Sequence, residues 1–223
     1  MEKFEYLLFD LDGTLTDSMP GIKNSFIYAF KEMNEKIPDD SVLSTFIGPP
    51  LYDTFINLCG FSKEKAEVAV KKYREYYQQK GIFENSVYSG IPELLDYLKT
   101  YGKKLYVATS KPEVFAVKIL EHFNLDKYFE KICGSNADES RSNKDEVIKY
   151  SLKCIEEKSG NHLELDKILM IGDRKHDVFG AQKNNVKSCG ILFGYGSYSE
   201  LKEAGADYIA EDVEKLKEIC ILQ

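Results

Sequence analysis

Apolar runs that stop at small or polar residues, alternating with helical patterns, constrain this chain more than any other feature of its sequence. The runs at 105–108, 168–171 and 186–193 read as buried strands, the last interrupted by Lys187, Ser188 and Gly190. Between them lie stripes of helical spacing: Val114, Phe115, Val117, Ile119, Leu120 and Phe123 after Pro112, then Val147, Ile148, Ser151, Leu152 and Ile155 after Ser142 and Asn143. A further apolar run, 4–11, opens the sequence and leads into Asp10-Leu11-Asp12-Gly13-Thr14, where Asp and Gly are turn formers. Such alternation predicts an α/β fold, a Rossmann-like parallel sheet with helices on both faces.

The stretch 16–88 departs from this alternation. Ile22, Phe26, Ala29, Phe30 and Met33 form one helical stripe, and Ala66, Ala69, Val70, Tyr73, Tyr76 and Tyr77 form another, with no strand pattern between them. Ile37-Pro38-Asp39-Asp40 and Gly48-Pro49-Pro50 mark turns. The 223 residues are therefore expected to divide into an α/β core of 1–15 and 89–223 and an inserted all-α cap of 16–88. The aromatic residues of the insertion have helical spacing and are expected in its core.

Charge narrows the partners. Thirty Lys and Arg against 37 Asp and Glu leave a net charge of -7, interleaved along the chain, which disfavours a nucleic-acid polymer as ligand. The longest unbroken apolar run, 26–30, is five residues, whereas a membrane-spanning helix needs about 20. The first residues lack a signal-peptide pattern, so a cytoplasmic location and no membrane contact are expected. Cys59, Cys133, Cys154, Cys189 and Cys220 form no Cys-x-x-Cys pair and are expected to be reduced and mostly buried.

In doubly wound sheets ligands bind beyond the carboxyl ends of the strands, and there this chain places aspartates. Asp10 and Asp12 end the first strand, Asp173 ends the run 168–172, and Asp177 follows one helical turn later. If the two strands are neighbours, three or four carboxylates converge. A cation must then neutralise them, and an all-oxygen donor set suits magnesium. Thr109, Ser110 and Lys111 follow the run 105–108, and Lys144 opens a later helix. Hydroxyls, a helix amino terminus and an ammonium are what a phosphoryl group needs for charge stabilisation. The combination points to phosphoryl transfer, and a carboxylate nucleophile implies an aspartyl-phosphate intermediate. Helix capping rivals phosphate binding for Thr109 and Ser110, and the two coexist readily. Arg174, His122, His162 and His176 are expected to be surface or packing residues.

Asp-x-Asp-Gly-Thr arises by chance on the order of a few times per thousand chains of this length; Thr109 and Lys144 draw their weight from order and placement. Asp10-Leu11-Asp12-Gly13-Thr14-Leu15, Thr109-Ser110-Lys111, Lys144 and Gly172-Asp173-Arg174-Lys175-His176-Asp177 resemble the four ordered motifs of the haloacid dehalogenase superfamily. The likeness extends over essentially the whole chain, and the insertion resembles that superfamily's small cap. Asp17-Ser18, the segment 46–51, Gly194-Tyr195-Gly196 and Ala206-Asp207-Tyr208-Ile209 are similar to its phosphoglycolate-phosphatase-like branch.

The resemblance implies Asp10 as nucleophile and Asp12 as the acid that protonates the leaving alcohol and then the base that takes a proton from water. It implies Mg2+ held by Asp10, the Asp12 backbone carbonyl and Asp173, with Asp177 in support. Thr109, with Ser110 beside it, and Lys144 would bind the phosphoryl oxygens, and Lys144 would also hold the nucleophile. The Gly-Pro-Pro loop would project over the active site. The presence of Asp12 favours phosphate-ester hydrolysis over dehalogenation. The expected partner is a small phosphorylated metabolite, and the expected state a monomer or weak homodimer.

Two departures leave the substrate open: Ser110 stands where phosphoglycolate phosphatases usually carry Asn, and Asp145 where many relatives carry Pro after the motif lysine. A 5'-nucleotidase, a pyrophosphatase and a phosphomutase similar to β-phosphoglucomutase remain as alternatives. Outside catalysis, the alternative is a binding protein that kept the fold and lost turnover.

Overall fold

The computed structural model describes residues 3–47, 51–136, 141–160 and 162–222. In chain order its elements are β1 (Tyr6–Phe9), β2 (Thr16–Asp17), α1 (Met19–Glu32), α2 (Asp40–Ser44), α3 (Leu51–Asp53, continuing as a π-helical turn over Thr54–Leu58), α4 (Lys63–Gln79), β3 (Ser86–Val87), α5 (Ile91–Thr100), β4 (Lys104–Pro112), α6 (Glu113–His122), β5 (Lys131–Ser135), α7 (Lys144–Ser159), β6 (Ile168–Gly172), α8 (Lys175–Lys183), β7 (Lys187–Ile191), α9 (Tyr198–Glu203), β8 (Tyr208–Ala210) and α10 (Val213–Cys220). Chain contacts divide the protein into two compact units, Met1–Thr16 with Val87–Gln223, and Asp17–Ser86.

The first unit holds one six-stranded parallel sheet in the order β5-β4-β1-β6-β7-β8. β1 lies between β4 and β6, so that Phe9 is level with Val107 on one side and Ile171 on the other. Side chains alternate across a strand. Tyr6 and Leu8 pack on one face with Val147, Ile148 and Ile155 of α7 and Ala181 of α8. Leu7 and Phe9, on the opposite face, are also fully buried. Burial of both faces is what lets these strands read as unbroken apolar runs.

The strand order places β1 beside β6, the arrangement under which the carboxylates converge. The structure also differs from the sequence expectations at three places. β5, whose apolar residues are only Ile132 and Cys133, and β8, only three residues long, are strands that the sequence pattern does not reveal, and both occupy sheet edges, where one flank is unpaired and short strands are the rule. β4 does not stop at Ala108. It continues to Pro112 through a shift of register against β5 between Ala108 and Pro112, so that Thr109, Ser110 and Lys111 lie in an irregular strand end. Finally, β2 and β3 are two-residue strands that pair with each other at the ends of the segment expected to be wholly helical.

In the second unit, α1 contributes Phe26, Ala29 and Phe30 to the interior, and α4 contributes Ala66, Ala69, Val70, Tyr73 and Tyr77. The Phe26 ring lies 4.9 Å from Phe46 and 5.2 Å from Phe55 in tilted pairs and 4.9 Å from Tyr73 in an edge-to-face pair, geometries that aromatic quadrupoles favour. Ser62 caps α4 by accepting a hydrogen bond from the Lys65 N–H at 3.3 Å. The loop Gly48-Pro49-Pro50 lies outside the described residues. Cys133, Cys189 and Cys220 are buried, Cys59 and Cys154 half-buried, and all five are free thiols. Among the described residues no helix is long and apolar enough to cross a membrane.

One close approach inside this unit is testable. A Cβ on Gly21 of α1 would stand 1.9 Å from the carbonyl oxygen of Gly81. Gly21→Ala is therefore expected to destabilise the protein by about 1–3 kcal/mol in urea unfolding. An unchanged midpoint would mean that α1 shifts freely and that the contact sets nothing.

Candidate active site

The chain leaves β1 still attached to its neighbour, since the Asp10 N–H donates to Ile171 O at 2.9 Å. Gly13, at φ +81°, then turns it sharply, and the N–H groups of Leu15 and Thr16 both donate to Leu11 O. The left-handed conformation favours glycine here. The glycine also makes room, because a Cβ on Gly13 would fall 2.4 Å from Asp173 Oδ2.

Asp173 follows β6 and is fully buried. Its Oδ2 accepts a 2.8 Å hydrogen bond from the Tyr195 N–H. Its Oδ1 is buried and, among the described residues, has no hydrogen-bond partner. Asp177, in the first turn of α8, accepts at Oδ2 from the Arg174 N–H at 3.1 Å and so caps the helix. Glycines enclose both carboxylates. A Cβ on Gly172 would stand 2.1 Å from Asp177 Cγ, one on Gly194 2.4 Å from Asp173 Cβ, and one on Gly196 1.8 Å from Asp173 O.

Lys144 is the first residue of α7, a helix whose start is set by Asn143 and Glu146, the Asn143 N–H donating to Glu146 Oε2 at 3.2 Å. Its ammonium lies 2.8 Å from Asp10 Oδ1 and 2.8 Å from Asp177 Oδ1, and it donates to Ala108 O at 3.1 Å. The Asp177 contact is a close ion pair lacking hydrogen-bond alignment. Asp10 Oδ1 also accepts from the Leu11 N–H at 2.7 Å. Carboxylate oxygens of Asp10, Asp173 and Asp177 all come within 4.8 Å of one another.

Three buried carboxylates share one ammonium, and the proton affinities of Asp10 and Asp173 register the imbalance. Burial raises the Asp10 carboxyl to about 6 despite the opposing pull of Lys144. Burial, with the charges of Asp177 and Asp10 added, raises Asp173 to about 8. Burial works against the Lys144 ammonium, but Asp10 and Asp177 outweigh it and hold its pKa well above the ordinary lysine range. A divalent cation fits such a place: three hard oxygen donors, one of them the unpartnered Asp173 Oδ1, stand within coordinating reach of one another.

The other residues singled out in the sequence fall nearby or outside. Thr109 is buried, and its Oγ1 accepts from the Lys111 N–H at 3.2 Å, while Ser110 is half-buried. The Asp12 side chain stands apart from the three-carboxylate cluster and pairs with Lys111. His122, His162 and His176 are exposed, and Arg174 pairs with Glu200 at 2.9 Å. The supporting role of Gly194-Tyr195-Gly196 around Asp173 goes beyond the sequence expectations. Its signal in the sequence was two glycines flanking one residue just past β7, where the backbone has to approach another chain segment closely.

The family model described as haloacid dehalogenase-like hydrolase matches residues 7–191. The chain is 42% identical over 217 residues to a protein of Pseudomonas aeruginosa named 5'-nucleotidase, covering 97% of this chain and 96% of that one. It is 35% identical over 219 residues to the tyrosine-protein kinase PtkA of Mycobacterium tuberculosis, covering 97% of this chain and 72% of that protein. Among solved structures, a predicted phosphatase from Clostridium acetobutylicum is 48% identical with a TM-score of 0.89 over 97% of each chain.

The raised carboxyls fix the sign of a pH dependence. A carboxyl raised in the fold binds more protons folded than unfolded between its two pKa values, so stability falls as pH climbs through that window. For Asp173 the window runs from 3.8 to about 8. In chelator, Asp173→Asn is expected to unfold a few degrees higher than the parent at pH 9 and at the same temperature at pH 4. A variant that melts lower than the parent at pH 9 would refute the repulsion between these carboxylates.

Proposed function

The chain belongs to the haloacid dehalogenase-like hydrolase family, and we propose on that premise that it is a phosphatase hydrolysing a small phosphorylated metabolite through a phosphorylated Asp10. The observation that carries this is the buried cluster of Asp10, Asp173 and Asp177 around Lys144 at the end of β1 and β6. So many buried carboxylates around one strand end destabilise the fold unless they serve a charged ligand.

In the first step an Asp10 carboxylate oxygen attacks phosphorus in line, and the bond from phosphorus to the leaving oxygen breaks. Asp12 delivers a proton to that oxygen, so the product leaves as a neutral alcohol. In the second step water attacks the aspartyl phosphate, Asp12 takes its proton, and Asp10 departs as a carboxylate with release of inorganic phosphate. Lys144 and the Leu11 N–H both engage Oδ1 of Asp10 and so fix the plane of the nucleophile. The Thr109 hydroxyl, Ser110 and the Lys144 ammonium stabilise the transferring oxygens. Asp10, the Asp12 backbone carbonyl and Asp173, supported by Asp177, would hold Mg2+, which when bound supplies positive charge against the carboxylates and the phosphoryl oxygens.

The 42% identity to a protein named 5'-nucleotidase supports nucleoside 5'-monophosphates as the first substrates to try, ahead of phosphoglycolate and pyrophosphate. Phosphate release from nucleoside monophosphates, phosphoglycolate, sugar phosphates and pyrophosphate, with Mg2+ or with chelator, tests the proposal. Release is expected only with Mg2+, and Asp10→Asn is expected to lower kcat by at least about 10³-fold. Release that persists in Asp10→Asn would overturn the assignment of the nucleophile. Isomerisation of a sugar phosphate without release would replace hydrolysis by a mutase reaction.

A further inference from the structure

Lys111 has no part in the steps above, yet its ammonium lies 2.6 Å and 2.8 Å from the two carboxylate oxygens of Asp12. The contact is sheltered, with 7% of the Lys111 side chain and 20% of the Asp12 side chain exposed. It is also built into the backbone. The register shift between Ala108 and Pro112 re-aims the side chains of the β4 end, and the Lys111 N–H is anchored on Thr109 Oγ1. Gly134 of β5 lets this irregular segment lie close, since a Cβ there would meet Lys111 O at 2.7 Å and Glu113 Cα at 2.6 Å.

Asp12 stands beside the Gly13 turn, and its carboxylate lies outside the cluster that Lys144 holds together. A carboxylate in such a place has several rotamers open to it. Proton transfer needs one of them, because donor and acceptor must come within about 2.6–3.2 Å. We infer that Lys111 is a positioning residue for Asp12: its forked contact with both carboxylate oxygens selects the side-chain orientation from which Asp12 exchanges protons with the leaving group and with water. The inference rests on the proton-transfer role proposed for Asp12. It assigns Lys111 to the acid/base residue and not to the phosphoryl group itself.

The leaving group separates these roles. p-Nitrophenolate departs without needing a proton, whereas an alkoxide needs one. Parent, Lys111→Met, Lys111→Arg and Asp12→Asn are compared on p-nitrophenyl phosphate and on adenosine 5'-monophosphate, with glycerol 3-phosphate as the alkyl ester if the nucleotide is not turned over. Thermal unfolding of each variant establishes that it is folded under the assay conditions. Hydrolysis of the aspartyl phosphate is common to both esters, so leaving-group release is followed in a single turnover with enzyme in excess, where Lys111→Met is expected to lose roughly 10- to 100-fold in rate on the alkyl ester and no more than about threefold on the aryl ester, with the half-saturating concentration little changed. Lys111→Arg, which keeps a forked cation, is expected to recover most of the loss. Equal losses in that single-turnover rate on both esters, or a loss carried by the half-saturating concentration, would overturn the inference and make Lys111 a substrate-binding or structural residue. Asp12→Asn marks where a failure lies. If it shows no leaving-group dependence, the role of Asp12 falls and the inference with it. If it does and Lys111→Met does not, only the positioning role falls.

Discussion

The Lys144 ammonium, enclosed between Asp10 and Asp177 and hydrogen-bonded to Ala108 O, ties four separate chain segments to one point. Asp10 leaves β1, Ala108 lies in β4, Lys144 opens α7 and Asp177 lies in the first turn of α8. A buried charge without its partners is strongly destabilising, so each of these segments is held to its place by the others. The parallel sheet makes the meeting possible. With β1 between β4 and β6, loops distant in sequence emerge side by side at the carboxyl ends of the strands.

One ammonium cannot balance three carboxylates. The excess collects on Asp173, whose carboxyl is raised to about 8 and whose Oδ1 has no hydrogen-bond partner among the described residues. The glycines at 13, 172 and 194 bring backbone against these side chains, Gly196 lies against the backbone of Asp173, and none of the four leaves space for a Cβ. Such an arrangement sacrifices stability for a site that binds positive charge, the pattern expected where function and folding compete. The same cluster orients a carboxylate nucleophile, and the irregular end of β4 supplies a hydroxyl and a lysine beside it.

Much of this was legible because the chemistry sits in short segments next to strongly patterned ones. Asp10, Asp12, Asp173 and Asp177 could be read from a strand pattern that stops, and the four central strands from apolar runs buried on both faces. The edge strands β5 and β8 were not legible, since an edge needs few apolar residues and three to five residues give little period to detect. The continuation of β4 through Thr109-Ser110-Lys111 was hidden because polar residues in an irregular strand look like a loop. The pairing of Lys111 with Asp12 depends on a register shift that no residue pattern encodes. The hydrogen bond from Tyr195 to Asp173 is a backbone interaction, so the identity of residue 195 carries no trace of it.

The proposed chemistry turns on Asp10 accepting the phosphoryl group. Its most direct test is mass spectrometry of protein quenched in acid during turnover and digested, with the label followed to a peptide. A phosphoryl group is predicted on the peptide containing Asp10, absent in Asp10→Asn. Turnover with the phosphoryl group on another residue, or on none, would contradict it.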